Sequence, residues 1–156
     1  MSPEEVLKQE GLFLENTTIA GISCAVGYTK EFRWSWLATQ LNTFVFIGSA
    51  NGAVDKALIE RFSHECYEYA TKNNQGWPRG LQSGVGSIAI LKGSTTDRDA
   101  AEFCEKPSKK HWSAFEIPVI YDTSNKRIIK YLKNPIWGTI YFPYFTELIG
   151  KITNKL

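Results

Sequence analysis

Apolar and polar positions alternate along residues 17–28, with Ala20, Ile22, Cys24 and Val26 on one face and the small residues Gly21 and Ser23 on the other, and this period of two predicts a strand. Residues 32–38 predict a second strand, with Trp34 and Trp36 on the same side. Residues 43–47 predict a third, or the continuation of the second past a bulge. The pattern then breaks at Gly48, Asn51 and Gly52. After it Val54, Leu58, Phe62, Cys66 and Tyr69 recur at helical spacing as far as Lys72, the clearest helix in the chain. Ahead of the strands, Ser2-Pro3-Glu4-Glu5 has the hydroxyl, the proline and the glutamate of a capping box, and Gly11 supplies a stop.

The second half continues with a glycine-containing loop after residue 76 and a strand over 85–91. The hydroxyl and carboxylate caps of residues 94–99 open a short helix that reaches Glu105. Residues 115–121 and 128–132 read as a hairpin around the polar turn 123–126. Pro118, which cannot donate a ladder hydrogen bond, marks an edge or a bulge. Phe145, Leu148, Ile149 and Ile152 then follow at i, i+3, i+4 and i+7, with Pro143 in the first turn of a final helix. The order αβββαβαββα predicts an α+β fold in one domain, 1–156: a single mixed β-sheet of about five or six strands flanked by helices.

Composition supports a folded chain: 43% of the 156 residues are hydrophobic and 22% charged, with nine Phe, seven Tyr and five Trp. At this length, folding buries roughly 70% of the surface of the unfolded chain, enough for a core without staples. The net charge of +2 does not imply a polyanionic partner. It is unevenly spread, however, with nine Lys and Arg against thirteen Asp and Glu over 1–105, and seven against two over 106–133. The three cysteines Cys24, Cys66 and Cys104 are widely spaced among apolar neighbours and form no Cys-x-x-Cys pair, so buried reduced thiols are expected. Neither a signal-like start nor an apolar run near the ~18 residues of a span is present, and the expectation is a cytoplasmic protein with no membrane contact.

Two loops carry candidate binding chemistry. The segment containing Trp77, Arg79, Gly80, Gln82 and Ser83 combines an arginine able to grip a carboxylate or phosphate with an aromatic ring and with glycines that admit a ligand to the backbone. Ser94 and Thr95, at the turn from strand to helix, offer hydroxyls and backbone N–H groups to an anion. Neither the P-loop spacing nor the dinucleotide glycine pattern is present, no cofactor is implied, and ordinary helix capping is the favoured explanation of that turn. A third tract, Lys106, Lys109, Lys110, His111 and Trp112 with Lys126, Arg127, Lys130 and Lys133, has the basic and aromatic character of a phosphate-backbone surface. The acidic first two thirds of the chain oppose nucleic acid there.

The remaining polar candidates have structural explanations. His64 stands opposite the apolar stripe of its helix, four residues from Glu60 and from Glu68, and is expected to face solvent beside those carboxylates. Glu116 lies within an apolar strand and Asp122 ends it. Alternation points Glu116 outward while Phe115, Ile117 and Val119 point inward. Glu31-Phe32-Arg33 only approaches the Glu-x-Lys triplet of metal-dependent nucleases. The aromatic run at 136–145 is explained first by interior packing, and otherwise by a partner surface. The reading that follows is a noncatalytic binding or protein-interaction module with an anion-recognising loop, taking a small anionic ligand, a protein partner or a second copy of itself. The competing reading is a metal-dependent enzyme acting on nucleic acid or phosphoesters through Glu116 and Asp122.

Overall fold

The structure is a computed structural model that describes residues 1–78, 80, 82–107, 111–131 and 140–156. Helix α1 (Pro3–Gln9) starts from the expected capping box: Ser2 Oγ accepts from Glu5 N at 3.2 Å and Glu5 Oε2 accepts from Ser2 N at 2.8 Å. Gly11, at φ +69, turns the chain into β1 (Phe13–Ile19). β2 (Ile22–Arg33), β3 (Thr39–Ser49), α2 (Lys56–Lys72), β4 (Ser83–Gly93), α3 (Arg98–Glu105), β5 (Ala114–Asp122), β6 (Arg127–Ile129) and α4 (Phe142–Thr153) follow. The strands form one six-stranded sheet in the order β1-β2-β3-β4-β5-β6, with β3, β4 and β5 mutually parallel and the other pairs antiparallel. The two crossovers place α2 and α3 on one face, while α1 and α4 cover the other. One mixed sheet with helices in the order αβββαβαββα is the fold class that the hydrophobic pattern predicts.

The strand boundaries differ from those read from alternation. The strand expected over 17–28 is cut in two at Ala20 and Gly21, both at positive φ (53 and 74), a two-residue hairpin turn that pairs Ile19 with Ile22. Glu65 Oε2 accepts from Ala20 N at 2.7 Å and Arg61 Nη2 donates to Ala20 O at 3.0 Å, so α2 holds this turn against the sheet. Of the strand expected over 32–38, only Phe32 and Arg33 belong to β2. A single 3-10 turn (Trp34–Trp36) follows, and its period of three leaves Trp34 exposed and Trp36 buried instead of placing both rings on one side. Leu37 and Ala38 close the hairpin in the left-handed region at φ 56 and 59, at a cost of about 1 kcal/mol each for residues other than glycine. Pro118 is placed as expected: β6 pairs only with Ile120, Tyr121 and Asp122, so β5 is an edge at the proline.

Two apolar layers hold the sheet. Phe44, Phe46, Phe62 and Ile120 pack between the sheet and α2 and α3; Leu7, Ile88, Ile90 and Phe145 pack beneath α1 and α4. Each such side chain contributes roughly 1.5–3 kcal/mol when fully buried. All three cysteines are free and buried. Burial pushes the Cys24 thiol up to about 11 and the Cys104 thiol up to about 12, and raises Cys66 well above its ordinary value. The thiols are therefore protonated at neutral pH. A disulfide reagent at pH 7.5 is expected to find no reactive thiol in the native chain and three in guanidinium; fast native reaction of any one of them would contradict this packing.

Candidate ligand-binding site

The residues singled out in the two loops do not converge. Trp77, Gly80, Gln82 and Ser83 lie at the start of β4, whereas Ser94 and Thr95 follow its other end, about 35 Å away at the rise of a strand. Arg79 lies outside the described residues, as do Lys109, Lys110, Lys133 and residues 136–139 of the aromatic tract. Among the described residues of the first loop, several polar groups are bonded within the loop or to its neighbours. Gln40 Oε1 accepts from Trp77 N at 2.9 Å, Ser83 Oγ donates to Trp77 O at 3.0 Å, and Gly80 N donates to Ser83 O at 2.9 Å. Asn42 Nδ2 reaches Ser83 Oγ at 3.3 Å, and Ser113 Oγ donates to the carbonyls of Gly80 and Ser83 at 2.6 and 2.8 Å. At the far end Ser94 N donates to Gly52 O and Thr95 O accepts from Val54 N, both at 2.9 Å. The cap of α3 is Asp97, not either hydroxyl residue.

A different set of groups does converge, around Glu116. β5 is covered on both faces, so the alternation that would turn Glu116 to solvent turns it instead toward α2, and its residue is only 7% exposed. Ser63, on α2, donates to Glu116 Oε1 at 3.3 Å. His111 Nε2 lies 2.9 Å from Oε2, and His64 Nδ1 lies 3.9 Å from the same oxygen. His64 also keeps the expected contact with Glu68, at 3.7 Å. The left-handed Ser113 (φ 50) folds the chain back, so that His111 lies against the strand it precedes and its ring stacks on Tyr67 at 4.0 Å. Beside Glu116 in the sheet register sits Ser87, wholly buried, whose hydroxyl has no hydrogen-bond partner among the described residues, an arrangement that costs about 1–3 kcal/mol.

The carboxylate forms the floor of a hollow of about 540 Å³, within the usual range for small-molecule sites. Ala57, Glu60, Arg61 and His64 of α2 form one wall, Phe103, Lys106 and Pro107 at the end of α3 another, and Pro118 lies beside Glu116 on β5. A second hollow, of about 560 Å³, continues along the same stripe of α2 from Tyr67 and Thr71 to Asn74 and Gly76. Glu116 and Asp122 share a face of β5 but stand about 20 Å apart and line different hollows. Asp122 is instead the anchor of the β5–β6 turn, accepting from Asn125 N at 3.0 Å and Nδ2 at 3.1 Å, bonds that hold its carboxyl below the ordinary value. The paired-carboxylate arrangement expected of a metal-dependent enzyme is thus not formed by these two residues. Among the described residues, no group of three or more His, Cys, Asp and Glu side chains is placed to hold a metal ion.

The other flagged residues are used within the fold or scattered. Glu31 pairs with Arg33 at 2.7 Å, and the Arg33 guanidinium lies over the rings of Trp36 and Tyr144. Tyr141, Phe142 and Phe145 pack on Phe115, the interior role expected first for the aromatic tract. In the basic tract Lys106 lines the Glu116 hollow, while Arg127 faces Glu105 at 3.9 Å in the separate hollow that Asp122 lines. Sequence reasoning missed Ser63 and Ser87, although each shows a signal: a hydroxyl within the buried stripe of a helix and a hydroxyl within an apolar strand. Among known proteins, no family model, no curated protein and no solved structure matches this chain.

Proposed function

We propose that this protein is a noncatalytic binding module, acting in the cytoplasm, whose ligand occupies the hollow between α2, α3 and β5. The ligand presents N–H or O–H donors to Glu116 and a negative group to Arg61 and Lys106. The observation that carries this reading is the buried Glu116 carboxylate on the floor of the hollow. Moving such a group out of water costs several kcal/mol, and one hydroxyl and one imidazole use only part of its capacity to accept hydrogen bonds. Arg61 gives one donor to Ala20 O and, with five N–H groups, keeps others for a ligand. Phe103, Pro107 and Pro118 supply the apolar surface against which the body of a small molecule would lie. The three unpaired thiols support the cytoplasmic assignment.

The test is a thermal-shift screen of nucleotides, amino acids and organic acids. A ligand at 100 times its Kd adds about 2.7 kcal/mol to native stability, a rise of roughly 5–10 °C for a domain of this size. That rise should vanish in Glu116→Gln and shrink in Lys106→Ala. A hit that stabilises both variants as strongly as the parent chain would move the site elsewhere.

A further inference from the structure

The apex of the β2–β3 hairpin carries apolar surface for which the fold has no use. Trp34 is 80% exposed and Leu37 82%, with Phe32 at 40% and Trp77 at 48%. The rings of Phe32 and Trp34 meet edge to face at 5.3 Å and those of Phe32 and Trp77 at 6.3 Å, so the patch runs unbroken from the hairpin to the loop before β4. Its outermost residue is also a strained one: Leu37 sits at φ 56, a conformation that glycine adopts freely. A turn that only had to close would be better served by glycine, yet the chain keeps a bare branched side chain there. Two exposed cations flank the patch, Lys30, two residues before Phe32 on the same strand, and Lys72, at the end of the helix that leads into the Trp77 loop; Arg33 is held at 2.7 Å by Glu31 and stacked on Trp36 and Tyr144.

We propose that this apex docks on the surface of a lipid bilayer with anionic headgroups, Trp34 and Leu37 entering the boundary between headgroups and acyl chains while Lys30 and Lys72 face phosphate. Tryptophan prefers the headgroup level, and an exposed apolar tip with lysines beside it needs no matching pocket when its partner is fluid. A single-stranded nucleic acid fits less well. The neighbouring rings stand edge-on at 85° and 67° and do not form a row of open faces, and an aliphatic side chain at the tip has no role in base stacking. Among the described residues no helix is long and apolar enough to cross a membrane.

The experiment is co-sedimentation with vesicles of phosphatidylcholine alone and of phosphatidylcholine mixed with phosphatidylserine, with tryptophan emission recorded in parallel. The intact chain is expected to bind the mixed vesicles more strongly, with a blue-shifted emission. Leu37→Gly should weaken binding about tenfold, and Trp34→Ser combined with it further. Because glycine relieves the left-handed strain, Leu37→Gly should unfold at the same or a higher temperature than the parent chain, which separates lost binding from lost folding. Failure of the intact chain to bind either vesicle would overturn the proposal, as would unchanged binding by Leu37→Gly. Retention of oligo(dT) or concentration-dependent dimerisation through the same two residues, with no vesicle binding, would also overturn it.

Discussion

Truncating Phe145 to alanine is expected to remove about 3–5 kcal/mol of folding stability, a large part of the 5–15 kcal/mol available to a domain. The ring is 1% exposed and packs against Phe115 at 5.5 Å and Phe142 at 5.7 Å, fastening α4 to the sheet. It can lie so close because the strand beneath it has glycine at 86, where a Cβ would come within 2.7 Å of Phe145 Cε1. Gly86→Ala alone should therefore cost about 1–3 kcal/mol by overpacking, and far less in a chain that already carries Phe145→Ala, since the methyl group then has room. Urea unfolding of the two single variants and the double variant measures this coupling. Additive losses would mean that ring and glycine do not meet as described.

The second large effect concerns Glu116, and its sign depends on what replaces the carboxylate. Glu116→Ala leaves a void and strips Ser63 and His111 of their acceptor, which should cost about 2–4 kcal/mol. Leucine has a similar reach and no charge. The Ser63 hydroxyl can then turn back to the carbonyl one helical turn earlier, and the His111 side chain, 19% exposed, can reach water. A buried ionic pair replaced whole by apolar side chains of similar volume commonly leaves stability unchanged or raises it by about 1–4 kcal/mol, and here the same holds because the hydroxyl and the imidazole left behind each have another hydrogen-bond outlet. The Glu116→Leu chain should accordingly fold as well as the parent or better, and lose whatever ligand the hollow takes. A carboxylate kept against stability is what a functional site looks like in energetic terms.

Much of the framework was legible because single local devices specify it: the Ser2–Glu5 box for α1, the 3.6-residue stripe from Phe62 to Cys66 for α2, and Pro143 ahead of the apolar spacing for α4. The hairpins were less so. Ala20-Gly21 is too short an interruption to disturb an alternating pattern, and at Trp34–Trp36 a period of three imitates a period of two when only two rings are counted. The site was half visible. An acid inside an apolar strand stood out, but β5 is covered on both sides, so alternation could not say which layer Glu116 enters. His64 reaches it through the β3-α2-β4 crossover, which lays α2 beside β5, and His111 through the reversal at Ser113; no local spacing encodes either. The loop around Trp77 has the composition of a recognition loop, yet its Trp77 N–H and Ser83 hydroxyl are already bonded, because composition does not distinguish a free donor from a satisfied one.

The most direct measurement is the urea midpoint of the Glu116→Leu chain beside that of the parent, taken without ligand. If the carboxylate serves binding and not the fold, the two midpoints coincide or the variant unfolds at higher urea. A drop equivalent to about 3 kcal/mol or more, the cost of breaking a buried pair that the fold needs, would make Glu116 a structural strut and leave the hollow without its recognition group.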